Sequence, residues 1–287
     1  MSTILNLVQG TAEWHAHRAQ SRNASETAVV LGVSPWQTPY QLWCIRTGRA
    51  KQEVTRPMLR GAELEGAARA AYEAKTGLVI EPLVLQDGAY SASLDGITFD
   101  GDLILEIKCP YKGQASELWQ AVAIGELPEH YWWQVQHQLM VSKAARAEVF
   151  VFDGAAGIVR EVAPKPEAWP MICAAWEKFA VCLGKDTPPA LCDRDARVRE
   201  DAEWAMVAAQ YIEAKAAAER SAATLEVVKA QLLALTQHPR ELGAGVTVTR
   251  YWKVGNVDYK KISELGVVDL DQYRGKAREE VRVTVNG

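Results

Sequence analysis

Residues 93–110 read Ser-Leu-Asp-Gly-Ile-Thr-Phe-Asp-Gly-Asp-Leu-Ile-Leu-Glu-Ile-Lys-Cys-Pro, and few folds accept such a stretch. In its second half Leu105 and Ile107 fall on one face of an extended chain, Glu106 and Lys108 on the other. Leu103 and Ile104 make the run otherwise wholly apolar, as in a central strand covered on both sides. Asp100-Gly101 supplies a tight turn, which folds a first strand ending at Asp95 back beside the second. The pattern predicts an α/β fold in which Asp95, Glu106 and Lys108 converge within a mixed central sheet.

Charge on such a strand is costly unless it is paired or bound to a cation. Solvated charge is the ordinary state of Glu and Lys, so it is the apolar neighbours that single these two out. Two carboxylates beside one ammonium can hold Mg²⁺ and aim a water at a phosphodiester. The spacing of Asp95 and Glu106 also imitates positions 1 and 12 of an EF-hand. Ile97 and Phe99 stand where its positions 3 and 5 need oxygen ligands, and Asp100 stands where glycine is required.

Periodicity and capping residues extend the core. Asn23 or Ser25 can cap a short helix through Leu31, ended by Gly32. Further helices are predicted at 39–47, 60–76, 116–123, 131–141 and 166–183, and strands at 80–85, 90–94, 103–108, 147–152 and 158–162. The Pro-containing segment 185–189 is the best boundary, giving a domain over 1–193 and a C-terminal adjunct over 194–287. Segment 201–235 has no Pro or Gly; at ~1.5 Å per residue it spans roughly 50 Å as one helix. Its seam of Trp204, Val207, Tyr211, Leu225, Val228, Leu232 and Leu235 suits a partner helix. Strands at 245–252 and 280–285, with a short helix at 258–265 between them, complete the adjunct as a small β element.

The net charge is −4, with 17 Lys and Arg against 22 Asp and Glu in residues 1–193. That weighs against a purely electrostatic DNA binder, and any nucleic-acid contact must use a local patch. The five cysteines include no Cys-x-x-Cys pair and predict no disulfide framework. No apolar run reaches the length of a membrane span. The first residues lack a basic-then-apolar signal, so a cytoplasmic protein is expected.

The surroundings of Asp95…Glu106-x-Lys108 resemble the lambda-type exonucleases, also called YqaJ-type viral recombinases, of the PD-(D/E)xK nuclease superfamily. The matching pieces begin with Gln9-Gly10-Thr11…Glu13-Trp14…Arg18, Asn23-Ala24-Ser25-Glu26 and Ser34-Pro35-Trp36…Tyr40-Gln41-Leu42-Trp43. Gly61…Glu65, Ser93-Leu94-Asp95-Gly96, Glu106-Ile107-Lys108-Cys109-Pro110 and Gln134-Val135-Gln136-His137-Gln138-Leu139 follow in the family's order. The resemblance covers about residues 5–153 and extends to about 190. The proline of the superfamily's name is absent here, where Ser93-Leu94 precedes Asp95.

The resemblance implies a restriction-endonuclease-like core, with helices flanking the mixed sheet. It makes Asp95 and Glu106 the shared ligands of Mg²⁺ (Mn²⁺ being the alternative), two ions per site, with the Ile107 carbonyl completing the set. Glu65 would help bind the second ion, Lys108 would orient and help deprotonate the attacking water, and Gln136 would position the nucleophile's surroundings. Arg18 and Ser25 would hold a 5′-terminal phosphate, which suits a hydroxyl-capped helix start beside a bidentate donor. From the residues alone, Glu65 is an ordinary (i, i+4) partner of Arg69, Ser25 a plain cap, and Arg18 and Gln136 surface side chains. The implied activity is 5′-to-3′ exonucleolytic resection of duplex DNA with 5′-phosphate ends. It would leave 3′ overhangs for a phage-type single-strand annealing protein, and the implied assembly is a homotrimer. Rival readings are an endonuclease or repair nuclease without end preference, and a non-catalytic DNA-binding module. The last would have lost Asp95, Glu106 or Lys108, and all three are present. Tryptophans can stack on unpaired bases, but Trp43, Trp169 and Trp176 fall on apolar helix stripes and are assigned to the core.

Overall fold

The computed structural model describes residues 2–250. In chain order the elements are β1 (Thr3–Leu5), α1 (Ala12–Gln20), β2 (Arg22–Asn23), α2 (Thr27–Val30), α3 (Pro39–Arg46) and α4 (Arg56–Thr76). The central hairpin and its helices follow as β3 (Glu81–Asp87), β4 (Tyr90–Ile97), β5 (Leu103–Lys108), α5 (Glu117–Ala123) and α6 (Glu129–Ser142). The remainder is β6 (Arg146–Phe152), β7 (Gly157–Val162), α7 (Trp169–Gly184), α8 (Ala202–Leu235), β8 (Arg240–Gly243) and β9 (Val246–Thr249). The chain divides into two units, Met1–Arg197 and Val198–Gly287. The helix expected at 258–265, the strand expected at 280–285 and the end of the one expected at 245–252 lie outside the described residues.

The first unit is built on a mixed sheet ordered β1-β3-β4-β5-β6-β7, with β2 added to β4. β5 runs antiparallel to β4 and parallel to β6, so the chain crosses over between β5 and β6, and α5 and α6 form that crossover. Alternation along β5 sorts its side chains between two layers. Leu103, Leu105 and Ile107 pack against Ala68 and Tyr72 of α4. Ile104 packs on the opposite face with Leu118, Val122, Val135 and Leu139 of α5 and α6. Each such buried Leu or Ile contributes about 1.5–3 kcal/mol. The far side of α6 is covered in turn, where Trp133 and Met140 meet Val29, Trp43, Ile172 and Trp176. With both sides covered, Gln136, His137 and Gln138 are all buried.

The expected hairpin is present. Gly101 takes φ +78°, its amide donates to the Thr98 carbonyl at 2.9 Å, and the Thr98 amide donates to Leu103 at 3.0 Å. β4 pairs with β5 only at Gly96↔Leu105 and Ile97↔Ile104. At its other end β4 meets β2 at Tyr90 and Ser91. Residues 92–95 therefore have no strand partner on that edge, and the gap opens where Asp95 sits. Next to it, a Cβ on Gly96 would stand 1.7 Å from Ile80 Cγ2, so only glycine admits this packing.

Several boundaries differ from expectation. α4 starts at Arg56 rather than 60, with proline in its first turn, and ends as expected at Gly77 in the left-handed conformation. Strands β1 and β2 were not foreseen; they are three and two residues long. Ser25 does not cap a helix. It lies inside a 3₁₀ turn at Ala24–Glu26, and neither that turn nor α2 has a side-chain cap. In the second unit α8 is one 34-residue helix with no buried residue, its first turn capped by Asp201, and β8 and β9 form a hairpin. No helix of the described residues is long and apolar enough to cross a membrane.

Candidate active site

The divergence of β4 from β5 brings the three charged side chains together. Asp95 reaches across the gap, and its Oδ2 accepts the Ile107 amide at 2.7 Å. In a strand the N–H and C=O of one residue point to the same edge, so the Ile107 carbonyl faces the gap as well. Arg69 Nε donates to the Asp95 carbonyl at 2.8 Å and holds the backbone from the α4 side.

Glu106 projects from the other face of β5, toward α6. Gln134 Nε2 donates to its Oε1 at 2.6 Å, and Gln138 Nε2 donates to its Oε2. These glutamines are four apart and share a helix face. Lys108 Nζ donates to Glu106 Oε1 and lies 5.3 Å from the centre of the Tyr131 ring. Gln136, expected at this position, is elsewhere. Its Nε2 donates to Ala163 O at 2.9 Å and its Oε1 accepts the Lys165 amide at 2.8 Å. Two residues along a helix turn a side chain by about 200°, so Gln136 and the pair Gln134/Gln138 cannot face the same way.

Charge in this cluster is unbalanced. Burial first, and the neighbouring Glu106 second, push the Asp95 carboxyl well above the usual carboxylate range. Burial works against the charge of Lys108, but Glu106 and Asp95 outweigh it and hold its pKa above the ordinary lysine value. In the metal-free protein these two carboxylates thus favour the charged form of Lys108. Burial pushes the adjacent Cys109 thiol up to about 11, which removes it as a nucleophile. An aspartate that resists ionisation in the protein alone matches a site completed by a divalent ion. Among the described residues no three His, Cys, Asp or Glu side chains form a metal cage. The available donors are Asp95, Glu106 and the Ile107 carbonyl. Mg²⁺ suits so sparse a set, because it keeps several waters and takes substrate oxygens. Glu65 lines the same cleft but is held by Arg69 at 2.7 Å, so a second ion there must displace that partner.

Arg18, Ser25, Glu65, Asp95, Glu106 and Lys108 all line one cleft of about 1240 Å³, larger than the ~300–1,000 Å³ of an ordinary small-molecule pocket. Arg18 Nη2 donates to Ser25 Oγ at 3.0 Å, and its guanidinium lies 4.7 Å from the Trp14 ring centre. Arg46, not singled out from the sequence, pairs with Glu26 and donates to the carbonyls of Arg18 and Ala19 at 2.6 and 2.7 Å. Arg18 is 3.9 Å from that same Glu26. Two guanidinium groups thus share one carboxylate beside Ser25, and the surplus positive charge suits an anion.

Residues 13–145 match the YqaJ-like viral recombinase domain. The uncharacterized protein YqaJ of Bacillus subtilis (strain 168) is 28% identical over 136 residues, covering 45% of this chain and 41% of that relative's length. The chain is thus matched to less than half of that protein. An alkaline exonuclease (LHK-Exo) from Laribacter hongkongensis superposes with a TM-score of 0.53 at 24% identity, over 62% of this chain and 94% of that one. Its complex with dAMP superposes with the same TM-score at 23% identity and the same coverage. Over that span the chain shares the fold of this solved exonuclease.

Proposed function

Taking residues 13–145 as a YqaJ-like viral recombinase domain, we propose that the protein is a divalent-metal-dependent deoxyribonuclease that degrades duplex DNA from 5′-phosphorylated ends, 5′ to 3′. The observation that carries this reading is one cleft holding both the Asp95–Glu106–Lys108 cluster and the Arg18–Ser25 pair. A hydrolytic centre beside an anion grip explains directionality, because cutting then proceeds from a held end.

Asp95, Glu106 and the Ile107 carbonyl would hold Mg²⁺, with Mn²⁺ as a substitute. The ion would supply Lewis acidity toward a phosphoryl oxygen and a bound water of lowered pKa. Gln134 and Gln138 fix both oxygens of Glu106, which keeps that carboxylate aimed. Lys108, charged and tethered to Glu106, stabilises negative charge growing on the phosphate and orients the water. Arg18 and Ser25 take the 5′-phosphate, and Glu65 serves a second ion only after parting from Arg69. The family resemblance further supports a homotrimer acting in the cytoplasm, and a 3′ single-stranded product passed to a phage-type annealing protein.

Incubation of a 5′-phosphorylated linear duplex beside a closed circle tests this reading. Expected is Mg²⁺-dependent loss of the linear DNA, abolished by chelation, with the circle intact. Cutting of the circle would instead indicate an endonuclease without end preference.

A further inference from the structure

Trp36 is 69% exposed, yet it is not a loose surface ring. It meets His130 edge-on at 4.6 Å and 84°, and Tyr131 at 5.7 Å, while His130 and Tyr131 lie 4.2 Å apart. Its backbone is also pinned, since Ser34 Oγ accepts the Trp36 and Gln37 amides at 3.3 Å each. An indole fixed in place with most of its surface open loses the usual return of burial in the free protein.

These three rings line a cavity of about 140 Å³ together with Ser25 and Gln134. That is roughly ten times the ~10–15 Å³ needed by one water, room for a single heteroaromatic ring system. Ser25, Trp36, Tyr131 and Gln134 also line the main cleft, so cavity and cleft adjoin. Its His130 has a buried Nε2 with no hydrogen-bond partner. Burial, and then Lys108, lower the pKa of that imidazole. A neutral ring can donate or accept toward a heterocycle's edge.

The geometry points to a nucleobase pocket: Trp36 stacks on the unpaired base of the 5′-terminal nucleotide, His130 meets its edge, and Ser25 lies beside its phosphate. This rests on the nuclease reading above and adds to it the binding of the base itself. Because every base has a π-face, stacking of this kind tolerates any sequence.

The test is equilibrium binding of 5′-phosphorylated duplexes by fluorescence anisotropy, with Ca²⁺ replacing Mg²⁺. Two ends are compared, one with its normal 5′-terminal nucleotide and one in which that nucleotide is abasic. The abasic end needs no pair to be broken, so without a pocket it binds as well or better. With the pocket, the wild-type protein binds it about tenfold more weakly. Trp36→Ala is expected to bind both ends alike, and Trp36→Phe to restore most of the difference. Equal binding of the two ends by the wild type, or a tenfold preference surviving in Trp36→Ala, overturns the pocket. Cleavage of the normal end in Mg²⁺ by the same preparations reports separately on the nuclease reading. A wild-type protein that binds neither end overturns both.

Discussion

The carboxylate of Asp95 accepts the amide of Ile107 at 2.7 Å, across the gap where β4 and β5 have stopped pairing. The acid is thereby fixed by the sheet itself, and Glu106 and Lys108 follow on the same strand as Ile107. The site rests directly on the core, since Leu105 and Ile107 are buried under α4. The following expectations depend on that arrangement.

Metal-free stability should depend on pH through Asp95. Its folded-state pKa is raised, so the folded protein keeps this proton to higher pH than the unfolded chain does. Stability is then lost as pH rises from the ordinary carboxylate value, ~4, through the raised one. Divalent ions bind the ionised form, so the rise in Tm on adding Mg²⁺ should be larger at pH 8 than at pH 5. Asp95→Asn should melt at or above the wild type in chelator at pH 8 and show no Mg²⁺ response. A wild-type Mg²⁺ response independent of pH would contradict this.

The glutamines of α6 should separate by face. Gln134→Ala removes one donor from Glu106 Oε1, which Lys108 still holds, and a fall in kcat of about 10- to 100-fold is expected with little change in Tm. Gln138→Ala leaves the buried Oε2 without its donor and should lower both kcat and stability. Gln136→Ala leaves the Lys165 amide and Ala163 carbonyl unpaired, at a cost of about 1–3 kcal/mol in stability. Its kcat per folded molecule should be unchanged. Denaturant unfolding and single-turnover cleavage, run on all three variants, decide the assignment.

Arg18→Ala removes a charged donor from the Ser25 locus. A charged hydrogen bond is worth about 1.5–3 kcal/mol, or roughly 10- to 150-fold in affinity. The loss should fall on 5′-phosphorylated ends and spare 5′-hydroxyl ends. Equal losses on both would remove the phosphate role.

His137 predicts acid sensitivity. Burial lowers its pKa to about 3, and its Nδ1 lies 2.6 Å from Thr27 Oγ1, which also accepts Trp176 Nε1 at 3.2 Å. The folded protein holds it neutral where the unfolded chain binds a proton. The stability it contributes is therefore complete above the unfolded value of ~6.5 and falls by up to ~1.4 kcal/mol per pH unit below it. Asp95 acts with the opposite sign in the same window, so urea unfolding at pH 7 and pH 5 is compared in the Asp95→Asn background. There the drop should appear, and His137→Gln should make it shallower.

Legibility in the sequence followed how local the determinants are. The hairpin and its three charged residues were readable because alternation, an Asp-Gly turn and an apolar strand all lie within 93–110. Gln136 was misassigned because 134, 136 and 138 are all glutamine, and choosing among them requires the phase of α6 against the sheet. α6 is covered on both sides, so no solvated stripe marks that phase; the (i, i+4) spacing of Gln134 and Gln138 was the available clue. Ser25 was read as a cap because the turn before α2 is 3₁₀ and places its hydroxyl toward Arg18 instead. Arg46 acts through backbone carbonyls some 27 residues away, a relationship without any pattern along the chain. β1 and β2 are too short to show a period.

The most direct measurement is release of mononucleotides from a 5′-phosphorylated duplex in Mg²⁺ by the wild type, Asp95→Ala and Lys108→Ala, each checked for an unchanged far-ultraviolet circular dichroism spectrum. The account predicts release by the wild type and a loss of at least about 10²–10³-fold in either variant. A folded variant cutting within about threefold of the wild type would contradict it.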